Sequence, residues 1–307
     1  MNLTLNKILA LYDLEDAEAE SIRHYDNLIY KIKTEKTYAL RICSPKITQK
    51  QLKNEIDWLI ALREDTDLLV PQPVANKQDD FVTQLEDRCC VLFEWLKGKP
   101  VSRMMSPEVA KKIGEMMARL HLHASSYVRD RLKNRIGDRV IDSGDRNYFF
   151  GANSWWQTKA QKRLPDDYQS LMPAIEKAAC SIDRLDKSPE QFGMIHSDLH
   201  FGNIINNGEN YAIIDFGDCR MGYYLLDLAV TEAEFKDYSN ADKLIPIFRE
   251  SYHNRRGYLP SNEDIGTFEV MSSLLLLEWI FESSSEKVRE DKAVWIDRIV
   301  ETIRETV

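Results

Sequence analysis

The chain has 307 residues, 43% hydrophobic and 30% charged, with a formal net charge of -9. That length suits two domains or two lobes of one enzyme, and the composition is that of an ordinary globular protein. The acidic balance speaks against a generic nucleic-acid binder, which carries a basic stripe. It suits solubility and would also steer a cationic substrate.

Five cysteines (Cys43, Cys89, Cys90, Cys180, Cys219) form no C-x-x-C pair and leave an odd count, which predicts reduced thiols and a cytoplasmic protein. Met1 to Tyr12 shows neither the basic start nor the cleavage site of a signal peptide. The most apolar run, Leu274 to Phe281, is broken by Glu278 and is too short to span a bilayer, so no membrane partner is expected.

In chain order, residues 4–12 predict a short helix. Leu28–Ile32 and Tyr38–Cys43 predict antiparallel strands joined by a turn at Thr34–Lys36, and Ser44-Pro45 ends the second. Leu52, Ile56, Leu59 and Ile60 share one face of a helix over Gln49–Arg63. Phe81–Leu85 and Cys89–Trp95 predict two more strands, the second inside the sheet, and Lys97–Pro100 reads as a linker. Ser106-Pro107-Glu108 is a helix start, with the helix running to about Ser125; 126–150 reads as a long polar loop. Helices follow at 153–163 and 167–186, then short strands at Met194–Ile195, Asn203–Ile205 and Tyr211–Ile214, the last two joined at Asn207-Gly208. Helices return at 223–237, 241–254, 262–284 and 286–305.

The chemistry concentrates in His196-Ser-Asp198-Leu-His200-Phe-Gly-Asn203 and, one hairpin later, Ile214-Asp215-Phe-Gly-Asp218. A carboxylate, an amide at D-x-x-x-x-N spacing and a second carboxylate in DFG are the three groups that phosphoryl transfer from ATP uses. Asp198 is the candidate base, and Asn203 and Asp215 offer the oxygens that Mg2+ prefers. His196 and His200 lie four apart, but in a segment too broken for a helical metal pair. His196 is expected to brace the loop, and His200 to reach the transferring phosphate.

This pattern resembles the aminoglycoside phosphotransferase and choline kinase superfamily, whose motif is H-[GNS]-D-[LC]-x-x-x-N followed by [IVL]-D-[FWY]-[GDE]. The resemblance is strong over 194–230, moderate over 21–98 and weak beyond 235. It implies an α+β, bilobal protein-kinase-like fold: an antiparallel-sheet nucleotide lobe over 1–97, a hinge near 93–98, and a helical lobe over 98–307. It implies ATP and Mg2+ as cofactors, Asp198 as base, Asn203 and Asp215 as metal ligands, and Asp227 as the carboxylate bracing the catalytic loop. An exposed helix acid remains the other reading of Asp227. Arg41 stands where the nucleotide phosphates are held, as a fork suited to phosphate oxygens, with Glu55 as its ion-pair partner. The nucleotide loop Arg23-His-Tyr-Asp-Asn27 keeps the family's Asn27 but has no glycine. Backbone groups from Glu94 to Leu96 would pair with adenine, and His121 is expected to pack rather than react.

Asp215 and Asp227 are only 12 positions apart and no A-P-E motif follows, so a small-molecule hydroxyl acceptor is expected rather than a docked peptide. Glu278, in an apolar helix, either meets an ammonium group of the acceptor or sits in an internal salt bridge. Glu282, Asp218, Glu232 and Glu234 are further acceptor candidates, with Trp279 nearby; Trp155-Trp156 either stack on a sugar or are core. Aminoglycoside-, amino-alcohol-, homoserine- and sugar-like acceptors stay open, as do ATP against GTP and the oligomeric state. The competing readings are a bacterial stress-type protein kinase and a non-catalytic nucleotide-binding module.

Overall fold

The computed structural model describes residues 3–24, 27–103, 105–128 and 143–306. Its N-terminal part opens with α1 (Leu3–Ala10), followed by β1 (Glu18–His24), β2 (Leu28–Lys33), β3 (Thr37–Ile42), α2 (Gln49–Asp65), β4 (Pro73–Val74), β5 (Thr83–Leu85) and β6 (Arg88–Glu94). The strands form one antiparallel sheet in the order β1-β2-β3-β6-β4, with β5 also on β6. Side chains alternate across a strand, and β3 uses both faces. Leu40 and Ile42 pack with Leu5, Ile8 and Leu9 of α1, while Cys43 joins Leu52, Ile56 and Leu59 of α2. Arg41 shares the α2 face and so meets Glu55. β6 divides likewise, Cys90 and Leu92 against Cys89, Val91 and Phe93, which is why it reads as an inner strand. A capping box between Thr48 and Gln51 starts α2.

The chain crosses to the helical part at Trp95–Gly98. Lys97–Pro100, expected as a bare linker, carries a short strand, β7 (Lys99–Pro100), paired with Asn206 and Ile205. Gly98 makes that approach (φ 147°); a Cβ there would lie 2.2 Å from Ile205. Next come α3 (Pro107–Tyr127), β8 (Ser143–Gly144), α4 (Arg146–Phe150), a π-helical turn at Trp156–Ala160, α5 (Gln161–Arg163) and α6 (Tyr168–Ile182). The expected loop over 126–150 is thus partly ordered structure; its 129–142 stretch lies outside the described residues.

β9 (Phe192–Ile195), the hairpin β10 (Ile204–Asn206) and β11 (Tyr211–Ile213), and β12 (Arg220–Tyr223) carry the catalytic stretch. Then α7 (Tyr224–Phe235), α8 (Ala241–Arg256), α9 (Asn262–Glu282) and α10 (Glu286–Glu305) complete the chain. β12 sits between β9 and β8. β1 and β12 were not legible beforehand: β1 is a polar edge strand and β12 has only four residues. Among the described residues no helix is long and apolar enough to cross a membrane.

Candidate active site

β9 delivers the chain to His196, and the next turn is bent around one carboxylate. Asp227, fully buried at the start of α7, accepts the backbone N–H of His196 at 2.9 Å and of Ser197 at 2.7 Å. It also pairs with His121 Nε2 at 3.1 Å. Ser197 is left-handed (φ 71°), a conformation costly for a non-glycine residue unless its surroundings hold it. His121 Nδ1 is 2.9 Å from the Tyr252 hydroxyl, and burial lowers the pKa of its ring. The neutral imidazole therefore donates to Asp227 and accepts from Tyr252.

His196 is buried as well. Its Nε2 donates to Ile214 O at 2.9 Å, and its Nδ1 accepts the Asp198 N–H at 3.3 Å. Both ring nitrogens are thus committed to the backbone of the two halves of the motif, which leaves no nitrogen for a metal. Asn203 Nδ2 reaches Asp198 O at 2.9 Å and Asp198 Oδ2 at 3.2 Å. His200 Nδ1 accepts the Gly202 N–H at 3.0 Å, and its Nε2 lies 3.7 Å from Asp198 Oδ2. Gly202 is needed there: a Cβ would come within 2.5 Å of the His200 ring.

The hairpin brings Asn203 and Asp215 together through the Ile214 N–H to Asn203 O bond, 2.9 Å. Asp215 is also left-handed (φ 64°). The Phe216 ring packs edge-on to Trp58 of α2 at 5.4 Å and near His196 at 4.8 Å, so it joins α2 to the catalytic loop.

Across the cleft, Arg41 Nη2 meets Glu55 Oε2 at 2.5 Å, both buried, and Arg41 Nη1 is 3.7 Å from Asp215 Oδ1. Burial opposes the charge on Arg41, but Glu55 and Asp215 raise its pKa. Burial raises the pKa of the Glu55 carboxyl, and the Arg41 guanidinium opposes that rise. Asn27 Oδ1 accepts the Ser44 N–H at 2.9 Å, tying the β1–β2 loop to the end of β3. Tyr25 and Asp26 of that loop lie outside the described residues. At the end of β6, the Glu94 and Trp95 N–H groups donate to Gln72 O and Thr37 O.

The acceptor candidates separate. Asp218 is 65% exposed beside the site, with Arg220 Nη2 at 4.0 Å. Glu278 is half-buried and accepts from the Tyr148 hydroxyl at 3.1 Å, while the Arg220 guanidinium lies 5.2 Å from the Tyr148 ring. Glu282 pairs with Lys159 at 3.0 Å. Trp155 and Trp156 are buried. Trp279 stacks on Trp295 and faces a different cleft, of about 1250 Å3, among α6, α7, α9 and α10. Glu232 lines it but is held by Arg249 through two hydrogen bonds, 2.5 and 2.7 Å. Glu269 pairs with Lys236 and Asp237 with Arg298. Glu234 has no ion pair among the described residues; its Oε2 accepts the Phe201 N–H, beside His200, at 3.4 Å. Burial raises its pKa, and Asp237 adds to the shift. Tyr148 and Arg220 carried no local signal in the sequence; only the fold brings them to Glu278 and Asp218.

A two-lobed kinase-like core with this motif geometry defines the class, and comparison with known proteins agrees. The family model "Phosphotransferase enzyme family" matches residues 18–257, so the chain belongs to that family. The structure is similar to a microcompartment-associated aminopropanol kinase (22% identity, 98% of this chain and 94% of the other, TM-score 0.79). It is also similar to an amicoumacin kinase, hAmiN, in complex with AMP-PNP, Ca2+ and Ami (16% identity, 99% and 92% covered, TM-score 0.77). The amicoumacin kinase of Bacillus subtilis (strain 168) is 27% identical over 74 residues, 24% of this chain and 22% of that protein's length.

Proposed function

We propose that this chain transfers the γ-phosphate of ATP to a hydroxyl of a small cationic molecule in the cytoplasm. The lobe boundary falls near residues 97 and 98. The observation that carries the reading is the convergence of Asp198, Asn203, Asp215 and Arg41. Asn203 Nδ2 is bound to Asp198, the hairpin sets Asn203 beside Asp215, and Arg41 stands 3.7 Å from Asp215.

With Nδ2 committed, Asn203 has its Oδ1 for a cation, and Asp215 adds carboxylate oxygens. This all-oxygen set suits Mg2+, which when bound neutralises charge on the β- and γ-phosphates. Asp198 accepts the proton of the acceptor hydroxyl as its oxygen bonds to the γ-phosphorus and the bridging oxygen leaves with ADP. Arg41 holds the α- and β-phosphates, kept in place by Glu55. His200 Nε2–H donates to the transferring phosphate. Since the Glu94 and Trp95 N–H groups serve the sheet, adenine pairs with Glu94 C=O and Leu96 N–H. Asn27 shapes the glycine-free loop.

The acceptor's body lies in the cleft beyond Phe201, where Glu234 meets its ammonium group, and Asp218 stands beside the catalytic loop outside that cleft. Glu278 and Glu282 have protein partners and lie outside that cleft. A protein-kinase reading is disfavoured because β12 runs straight into α7, with no segment left to dock a peptide.

The test is an acceptor screen over amino alcohols, aminoglycosides, sugars and casein-like proteins with wild type and Asp198→Ala. Loss of a general base costs about 10²–10⁴-fold in turnover, and nucleotide affinity should stay within about threefold of wild type, as expected for a group that acts only on the acceptor. Absence of ATP binding at millimolar concentration, or normal turnover with weakened nucleotide binding in the variant, would sink the reading.

A further inference from the structure

Four cations from three segments of the chain, Lys159 and Arg163 sharing one, meet at the last turn of α9. Lys159 Nζ lies 3.0 Å from Glu282 Oε1. Lys46 Nζ, from the β3–α2 loop of the other lobe, donates to Glu282 O at 2.9 Å. Lys292 of α10 stands 3.9 Å from the centre of the Phe281 ring, and the Arg163 guanidinium 5.7 Å from the same ring, on which Trp155 also stacks. Against these, Glu282 is the one carboxylate in ion-pair contact with the group among the described residues.

Part of the charge is already met. Helix C-terminal carbonyls attract cations, and the Phe281 face takes a share. Glu282 is held ionised, its pKa lowered first by the Lys159 hydrogen bond and then by the surrounding cations. An excess of positive charge remains. Lys292 registers it: burial lowers its pKa first, and Arg163 lowers it further.

We propose that this junction is an oxyanion site that takes the phosphate group of a small phosphate monoester or free phosphate. The position gives the site a consequence. Lys46 lies two residues before Thr48, the N-cap of α2, and α2 carries the Glu55 that holds Arg41. An anion shared by Lys46 and the Lys159–Arg163–Lys292 side draws the two lobes together over the cleft. Phosphate monoesters are also the class of product a hydroxyl kinase releases, so occupancy would report product level back to the cleft. The site itself does not depend on the phosphotransfer reading.

The experiment is isothermal titration of the full chain with inorganic phosphate and, separately, with phosphoethanolamine. AMP-PNP at saturation fills the nucleotide's own phosphate positions, and ionic strength is held constant with chloride. The expected result is saturable binding of phosphate that Lys159→Met/Arg163→Met abolishes. Lys292→Gln, a milder change, should weaken it about fivefold, the size of one exposed charge contact. Tighter binding of the monoester identifies the source as an organic phosphate; equal binding identifies free phosphate. No binding by wild type, equal binding by the double variant, or equal heats from added chloride would overturn the proposal. Retained AMP-PNP binding by the variants confirms that they are folded.

Discussion

The edge that carries Asp198 and Asp215 and the cleft among α6, α7, α9 and α10 are held by different kinds of interaction. At the edge, buried groups fix each functional side chain through the backbone: Asp227 under His196 and Ser197, His196 between Asp198 and Ile214, Glu55 on Arg41. Around the cleft, ion pairs such as Lys236–Glu269 and Arg298–Asp237 sit partly in water, where a single pair contributes little. A change at the edge propagates into the loop geometry, while a change in the cleft alters one contact. The loop around Asp198 is therefore held rigidly, while the walls of the cleft are adjustable.

The largest effect should come from Arg41→Met. It strands the buried Glu55 carboxylate at a cost of about 3–5 kcal/mol and removes the phosphate fork, measured by denaturant unfolding and the KM for ATP. The double variant Arg41→Met/Glu55→Leu should regain most of the stability and none of the activity; regained activity would break the comparison.

Asp227→Asn comes next. It keeps the shape but weakens hydrogen bonds to a charged acceptor, each of which contributes about 1.5–3 kcal/mol. Unfolding should shift by that order, and turnover should fall with nucleotide affinity kept, because Ser197 is no longer pinned. Glu234→Gln should cost only about 1.4 kcal/mol, a tenfold rise in acceptor KM, by loss of one ammonium contact, with the KM for ATP unchanged. Because burial raises the pKa of Glu234, kcat/KM for a cationic acceptor should start to fall on acidification above the ordinary glutamate value near 4.3. The glutamine variant should lack that limb.

The smallest effect concerns His121. Its folded pKa is depressed by burial, so the folded state binds fewer protons than the unfolded chain. The stabilisation is complete above the unfolded value of about 6.5 and declines as pH falls toward the folded value. Unfolding at pH 7.5 and pH 5.5 should show the decline, and His121→Gln should flatten it.

Legibility follows the same division. Asp198, Asn203 and Asp215 lie within 17 positions of one another, and Arg41 and Glu55 are 14 apart on a strand and the next helix, so local pattern was enough to place them on the right elements. Asp227 could be a brace or an exposed acid until its burial was seen. Glu278, expected to meet either the substrate or an internal salt bridge, accepts from Tyr148, 130 residues away in sequence. The strands β1 and β12 escaped for want of alternation and of length.

What the sequence determined by itself is the class of chemistry, because a base and two metal-binding side chains must follow one another along a loop and a hairpin. It also determined the lobed architecture, through hydrophobic periodicity in β3, β6 and the helices. Only the tertiary structure decided which carboxylates in the cleft are already paired, that Glu234 touches the catalytic loop, and that Lys46 crosses the lobes to the end of α9. Those relations join residues far apart in the chain, and charge pairing between such residues is set by packing, which no local pattern encodes.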